Sequence, residues 1–529
     1  MLSRSDWQAL DSGVQWGLRG QPVKLSYRFP ADAAEYGNAN TYNTLGGNNE
    51  LLGTLAAFNA TQQSIALNAL QGWANVANIS LSVAPAAEGN FRFMFTSSSP
   101  FDRAGTVVAH AYVPEQRLGG DIWFNYYLKD AARFADSAPG SYVLYALTHE
   151  IGHVLGLKHP FGRDATLPQD LATIQYSVMA YAAFPGAYDP ATGRFSGGAN
   201  FNPTTPMLLD VAAAQQLYGA NDSYRAGDDV YTFNQGQTYY QTLWDGGGSD
   251  TIQYHSSAGG VINLNAGEFS QLGNPLTFTG AGSGTTQRDT VAIAYGVTIE
   301  NATGGAGNDT LIGNNVANTL DGGAGADTLA GGAGADRLSG AAGNDTLDGG
   351  SGIDTAIYAG NRTAYTVVRN GGSIRVTDPN GSGGEDTLVN VERLQFTDKK
   401  FAFDIDGGAG NTARIIGAAF GVDLLEPVLN GIGIRLFDQG NTLQQIADLA
   451  LGSELFAQVA GSRSNEAVVR TLYIHLVGNA PPAADLQKFV GWLQGGMSQA
   501  DLLVYAANDL LNAQNINLVG LASTGLEYV

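Results

Sequence analysis

Residues 304–357 read GGAGNDTLI GNNVANTLD GGAGADTLA GGAGADRLS GAAGNDTLD GGSGIDTAI, nonapeptides laid end to end without a gap. Glycines crowd the start of each unit, an acid or amide takes the sixth place, and leucine or alanine the eighth. A few extended residues between tight turns cannot bury a face alone, so stacked units must share one core. That is the signature of a parallel β-helix. A disordered glycine linker is the competing reading, but a linker has no use for an apolar position that returns every nine residues.

The turns also carry chemistry. Asp309, Asp327, Asp336, Asp345 and Asp354 hold the sixth position, with Asn318 in the second unit. Carboxylates together with the carbonyls of sharply curved glycine backbone form a hard-oxygen set suited to Ca²⁺. The stretch holds seven aspartates against one arginine, so without cations it is expected to repel itself open. Extracellular calcium modules bind at about 10⁻⁴–10⁻³ M, so several structural calcium ions would fold it outside the cell.

Composition changes on either side. Residues 1–220 mix helical spacing (Thr61–Val76, Ser141–Gly156, Leu208–Tyr218) with β-rich runs at Val23–Phe29, Ile79–Val83, Phe91–Phe95, Val107–Val113 and Asp121–Tyr127. Residues 221–406 are short β segments punctuated by glycine, asparagine and aspartate, and 407–529 return to helical spacing. The expected fold is therefore multidomain: an α/β domain, a parallel β domain and an all-α domain. The whole chain has 71 glycines in 529 residues, about twice the usual share, and a formal net charge of −22. Such a surface repels nucleic acid and anionic membranes. There is no cysteine, which excludes disulfides, thiolate zinc sites and cysteine nucleophiles. No run approaches a transmembrane length, and Met1–Trp7 lacks the basic and apolar regions of a cleaved secretory peptide.

One segment of the first zone concentrates three of the six histidines: His149-Glu150-Ile151-Gly152-His153-Val154-Leu155-Gly156-Leu157-Lys158-His159. Residues four apart on a helix share a face, so His149 and His153 can address one ion. Gly156 lets the chain leave the helix in a conformation most residues resist, and the turn returns His159 as a third nitrogen. Three protein ligands leave a fourth position open, the mark of a catalytic zinc, and Glu150 stands beside it as the base. A helix that merely carries two core histidines has no reason to place the glutamate and the glycine in the same register.

The extended motif resembles the metzincins, and its surroundings resemble the serralysin family, bacterial zinc proteases with RTX calcium repeats. Ser177-Val178-Met179-Ala180-Tyr181 is similar to their methionine turn. The likeness continues in Gly20–Tyr27, Gly120–Asn125, Pro206–Ala213 and Thr298–Ala302, covering about residues 10–405. It implies a zinc-dependent endopeptidase acting on protein or peptide substrates, with one catalytic Zn²⁺. Met179 would floor the site, and Tyr181 would approach the resting zinc and then assist the tetrahedral intermediate. Substrate would lie along the strand containing Val107, Ala109 and Ala111, with His110 structural. Two nonapeptides form one coil in RTX rolls, which stacks Asp309 with Asp327 and Asp345, and Asp336 with Asp354; Asn318 would be a weaker start to the second column. An irregular calcium site would take the Asp245 and Asp250 carboxylates with the Arg225, Gly227, Asp229 and Gly247 carbonyls. Export by a type I route without a cleaved signal is expected, with Leu526–Val529 a partial match to a carboxy-terminal signal. The chain would be a monomer. The helical tail, which continues past the point where serralysins usually end, is similar to a helical family of unknown function appended to bacterial surface and RTX proteins; it would dock to a cell-surface layer or cap the roll. The rivals are a calcium-dependent adhesion protein with a vestigial metal site, which the intact Glu150 opposes, and another zinc hydrolase such as an amidase.

Overall fold

Phe91–Thr96 (β4) buries Phe91, Phe93, Met94, Phe95 and Thr96, and a strand buried on both faces must lie inside a sheet. In the computed structural model it does. Parallel partners flank it: Val23–Arg28 (β1) with Ile79–Val83 (β3) beyond on one side, and Asp121–Asn125 (β6) on the other. Ala109–Ala111 (β5) pairs antiparallel with β6 at the edge, and Leu55–Ala56 (β2) pairs with β4. Residues 1–3, 37–48, 86–87, 106, 115–117, 162–166, 190–193, 281–283 and 380 lie outside the described structure, including the first three of the amino-terminal segment read above.

The chain forms two compact units, Met1–Asn301 and Ala302–Val529. In the first, helix α1 (Ala60–Val76) starts at a capping box, Asn59 accepting from the Gln62 amide while the Gln62 side chain accepts from Asn59. It buries Ile65, Ala66, Ala69, Leu70 and Trp73, and Trp73 Nε1 donates to Thr148 O in helix α2 (Tyr142–Val154) at 3.1 Å. Of the thirteen residues of α2, all but Tyr142 and His153 are buried, so α2 is a core helix whose position is fixed from every side. Helix α3 (Leu208–Tyr218) is buried almost throughout.

In the second unit, the nonapeptides form two parallel ladders. Leu311, Leu329 and Leu347 are in register in one, as are Leu320, Leu338 and Ala356 in the other, each step being eighteen residues. All six are buried, and each stacked leucine contributes about 1.5–3 kcal/mol. Both ladders continue past the repeats, Leu347 pairing with Leu388 and Ala356 with Leu394. Between them an antiparallel hairpin, Thr366–Asn370 and Ser373–Thr377, is inserted. The turns demand glycine: Gly343 has φ +135°, and a Cβ there would strike the Gly325 carbonyl.

Helices follow from Gly408–Phe420 to Leu518–Thr524 around a core that includes Ile416, Ala447, Phe456, Val468 and Leu503. Three of them, Pro427–Asp438, Glu454–Ala460 and Leu518–Thr524, are not apparent in the apolar spacing. Gln499–Ala507 and Leu510–Asn515 are separate helices, because Asp509 caps the second by accepting from the Leu511 amide. The buried Arg393 ties the ladder to this region, pairing with Asp404 and, at 3.1 Å, with Asp438. Leu526–Tyr528 pairs antiparallel with Lys400–Ala402, and Lys399 pairs with Glu527. No described helix is long and apolar enough to cross a membrane.

Candidate metal centre and turn carboxylates

His149 and His153 lie one turn apart on α2. Each spends its Nδ1 on a backbone carbonyl: His149 on Val178 O at 2.7 Å, His153 on Leu157 O at 2.9 Å. A ring whose Nδ1–H is donated presents a bare lone pair at Nε2. Gly156, at φ +97°, turns the chain where a Cβ would strike Val14 O, and His159 swings back. Its Nε2 lies 3.2 Å from that of His149 and 3.1 Å from that of His153. Burial, with mutual repulsion, lowers the His149 pKa far below its usual value; burial takes His153 to about 4 and His159 to about 3. Three neutral imidazoles therefore point lone pairs at one spot. A divalent cation satisfies that arrangement.

Glu150 is buried beside them, and its Oε2 has no hydrogen-bond partner among the described residues. Burial alone raises its pKa to about 8. An uncompensated buried carboxyl costs roughly 1–3 kcal/mol or more, which points to a group kept for chemistry.

Behind the histidines, Met179 is buried under α2. A Cβ on Gly152 would come within 2.5 Å of its sulfur and 3.2 Å of Trp73, so glycine at this position lets helix and turn touch. Gly152→Ala is expected to push Met179 aside and to destabilise the protein by about 1–3 kcal/mol, read in thermal unfolding. Unchanged unfolding would show that the contact is slack. The turn is held by Asp210 of α3, which sequence reasoning did not single out. Its carboxylate accepts from Ser177 Oγ at 2.6 Å, the Val178 amide at 2.6 Å and the Met207 amide at 2.8 Å. Burial raises the Asp210 pKa to about 7 against the pull of these three donors. The chain from Asp210 through Val178 to His149 orients the first imidazole.

Tyr181 stands at the rim, 45% exposed, its ring centroid 4.7 Å from His159 and 5.2 Å from His149. Phe161 stacks on His159 at 4.8 Å, and Phe195 meets both Phe161 and Tyr181. Burial, then the Glu150 charge, raises the Tyr181 pKa well above its usual value, so its hydroxyl stays a donor. Strand β5 runs beside α2. Val108 O accepts from the Asn125 amide and the Tyr112 amide donates to Asp121, so in this antiparallel ladder the backbone groups of Ala109 and Ala111 face the open edge. Val107 precedes the strand, and its carbonyl accepts from the Asn125 side chain. His110 pairs with the buried Glu50.

The turn aspartates form two hydrogen-bonded columns. The amides of Asp309, Asp327 and Asp345 donate to Oδ1 of Asp327, Asp345 and Asp386 in turn. Those of Asn318, Asp336 and Asp354 donate to Asp336, Asp354 and Glu392. Asp386 and Glu392 escaped the nonapeptide pattern because the inserted hairpin breaks the period. A signal was available, since Asp-Thr-Leu recurs at 309–311, 327–329, 345–347 and 386–388. The other oxygens of Asp327, Asp336, Asp345 and Asp354 are buried without partners among the described residues. Each of these oxygens sits against the first glycine of its own turn, Gly322, Gly331, Gly340 or Gly349. Bare oxygens lining a backbone turn fit a hard cation. The top of each column differs, Asp309 Oδ2 accepting from Gly305 and Asn318 Oδ1 from Asn314.

In the first unit, Asp229, Asp245 and Asp250 bring carboxylate oxygens within 4.8 Å of one another. Asp250 Oδ1 accepts from the Asp229 amide, its Oδ2 is bare, and its own amide donates to Glu300. Sequence reasoning assigned Asp229 only a carbonyl; here its carboxylate joins the group, while its carbonyl accepts from the Thr251 amide. Gly247, at φ +124°, donates to Asp245 at 2.7 Å, a Cβ on Gly248 would strike Gly227 O, and Arg225 pairs with Asp229 at 3.8 Å.

Comparison with known proteins agrees with this geometry. Residues 48–179 match the Matrixin family model and residues 209–397 the Peptidase M10 serralysin C terminal model. A metalloprotease AprA of Pseudomonas entomophila (strain L48) is 38% identical over 294 residues, covering 50% of this chain and 56% of the relative. Metallopeptidase AprA of Pseudomonas marginalis is 37% identical over 323 residues (56% and 61%), and a serralysin of Proteus mirabilis 35% over 346 (57% and 61%). The chain thus spans less than two thirds of the length of these curated relatives.

Proposed function

We propose that the chain, which matches the serralysin family over both of these regions, is a zinc-dependent endopeptidase of extracellular proteins whose repeat region folds around calcium. The observation that carries this is the convergence of three imidazole nitrogens beside a buried carboxyl whose Oε2 has no partner among the described residues. His149, His153 and His159 would hold the zinc. When bound there, zinc supplies Lewis acidity for the scissile carbonyl and makes water a better nucleophile near neutral pH. Glu150 takes the proton of the attacking water and returns it to the leaving nitrogen. Tyr181, protonated at the rim, donates a hydrogen bond to the developing oxyanion. The open edge of β5, at Ala109 and Ala111, receives an extended peptide as an added strand.

Calcium would sit at Asp327, Asp336, Asp345 and Asp354 with the neighbouring glycine carbonyls, closed below by Asp386 and Glu392, and at Asp229, Asp245 and Asp250. Asp309 begins the first column; Asn318 contributes a neutral oxygen to the second. On this reading residues 1–220 form the catalytic domain, 221–406 the RTX roll, and 407–529 a helical domain that caps the roll or attaches to a surface layer. The protein would be a monomer, secreted by a type I route. Casein hydrolysis should disappear with 1,10-phenanthroline and return when zinc is added back. Full hydrolysis by protein stripped of metal would refute the reading.

A further inference from the structure

Strand β5 is short, at the edge of its sheet, and paired on one side only. If it serves as a template for substrate, something other than the sheet must hold it still. Its neighbours do this with a buried carboxylate. Glu50, on the short 3₁₀ helix Glu50–Leu52, is fully buried. Its Oε1 accepts from Tyr112 Oη at 2.5 Å and faces His110 Nε2 at 2.9 Å. Both partners project from the same side of the strand, two residues apart. His110 is further stacked on Phe101, ring centroids 5.2 Å apart, and lies edge to face with Tyr112. The helix carrying Glu50 is itself tied to the sheet, because Thr96 Oγ1 donates to Glu50 O at 2.6 Å.

A stabilising role alone explains this poorly. Glu50 Oε2 and His110 Nδ1 are both buried without partners among the described residues. Two bare polar atoms in a core cost stability that apolar side chains of the same size would not. What a carboxylate shared by two side chains adds is direction: it sets the register and rotation of the strand to within a hydrogen bond. The residues it fixes, His110 and Tyr112, alternate with Ala109 and Ala111, whose backbone groups face the open edge. We propose that Glu50, His110 and Tyr112 form a positioning clamp that presents the Ala109 and Ala111 backbone to an extended protein or peptide substrate. The proposal rests on the endopeptidase reading above and extends it to residues outside the zinc motif.

The test compares a decapeptide, long enough to lie along β5, with a blocked dipeptide-length substrate that reaches only the centre. In Glu50→Ala, which removes the shared acceptor, KM for the decapeptide is expected to rise about tenfold while kcat falls less than about twofold, the loss of a hydrogen-bonded strand contact. Hydrolysis of the short substrate should change by less than about threefold. A second variant, Glu50→Leu with His110→Leu and Tyr112→Phe, fills the same space with apolar groups and leaves no member of the cluster without its partner. It should unfold at an equal or higher temperature yet show the same long-substrate defect, which a merely structural pair would not produce. Equal effects on both substrates, or none on either, would overturn the clamp alone. Wild-type protein inert towards both would overturn the endopeptidase reading and the clamp with it.

Discussion

Glu150→Gln should abolish peptide hydrolysis while leaving zinc in place. Glutamine keeps the shape of the side chain and its packing among the buried residues of α2, and it is not one of the three converging imidazoles. What it loses is the capacity to take a proton, and general-base catalysis by a positioned group is worth about 10²–10⁴-fold. The metal-free protein offers a second readout. Burial raises the Glu150 pKa to about 8, against 4.5 for an ordinary glutamate. A carboxyl whose folded pKa lies above its unfolded value favours folding at low pH, and that contribution is lost as pH rises from about 4.5 through 8. Glutamine has no such loss. Metal-free Glu150→Gln should therefore melt above metal-free wild type at pH 9 and match it near pH 4. Zinc reverses the comparison, since a dication beside Glu150 favours its ionised form. A variant that binds one zinc and still clears casein at the wild-type rate would sink the assignment of Glu150 as the base.

Which parts of the site are legible in the sequence depends on distance along the chain. His149, Glu150, His153, Gly156 and His159 are legible because one helical turn and one glycine turn bring them together locally. The repeat is legible for a related reason: its period states which residues stack. Asp210 was invisible in this sense. It is one buried aspartate of α3, and its role exists only once that helix packs behind Val178. Glu50 is separated from His110 by sixty residues and sits in a segment with no motif. Asp386 and Glu392 fall between these cases, because the inserted hairpin hides them from a count of nine while the Asp-Thr-Leu echo at 386–388 does not. Strand β5 shows the opposite error. The β-rich run Val107–Val113 reads as seven residues, whereas the strand is Ala109–Ala111, flanked by Val108 and Tyr112, which still bond to Asn125 and Asp121 of β6.

Calcium removal should open the nonapeptide ladders at pH 8 and spare them at pH 5. At Asp327, Asp336, Asp345 and Asp354 the turns keep buried carboxylate oxygens without partners among the described residues, stacked at eighteen-residue intervals within each column. Burial raises all four pKa values; those of Asp327 and Asp354 reach about 6, and that of Asp386 about 7. The ordinary aspartate value is 3.8. The folded pKa again lies above the unfolded one, so stability present below about pH 4 is lost as pH rises through 6 to 7. At pH 8 every turn is charged and only a cation can offset the repulsion along each column. At pH 5 the carboxyls of Asp327, Asp354 and Asp386 are mostly protonated, and the stacked leucines suffice. With EGTA at pH 8, circular dichroism should lose its β signal, and calcium at about 10⁻⁴–10⁻³ M should restore it. With EGTA at pH 5 the loss should be small. An identical β signal at pH 8 in EGTA and in millimolar calcium would mean that the bare oxygens are not cation ligands, and that the leucine ladders alone hold the coil closed.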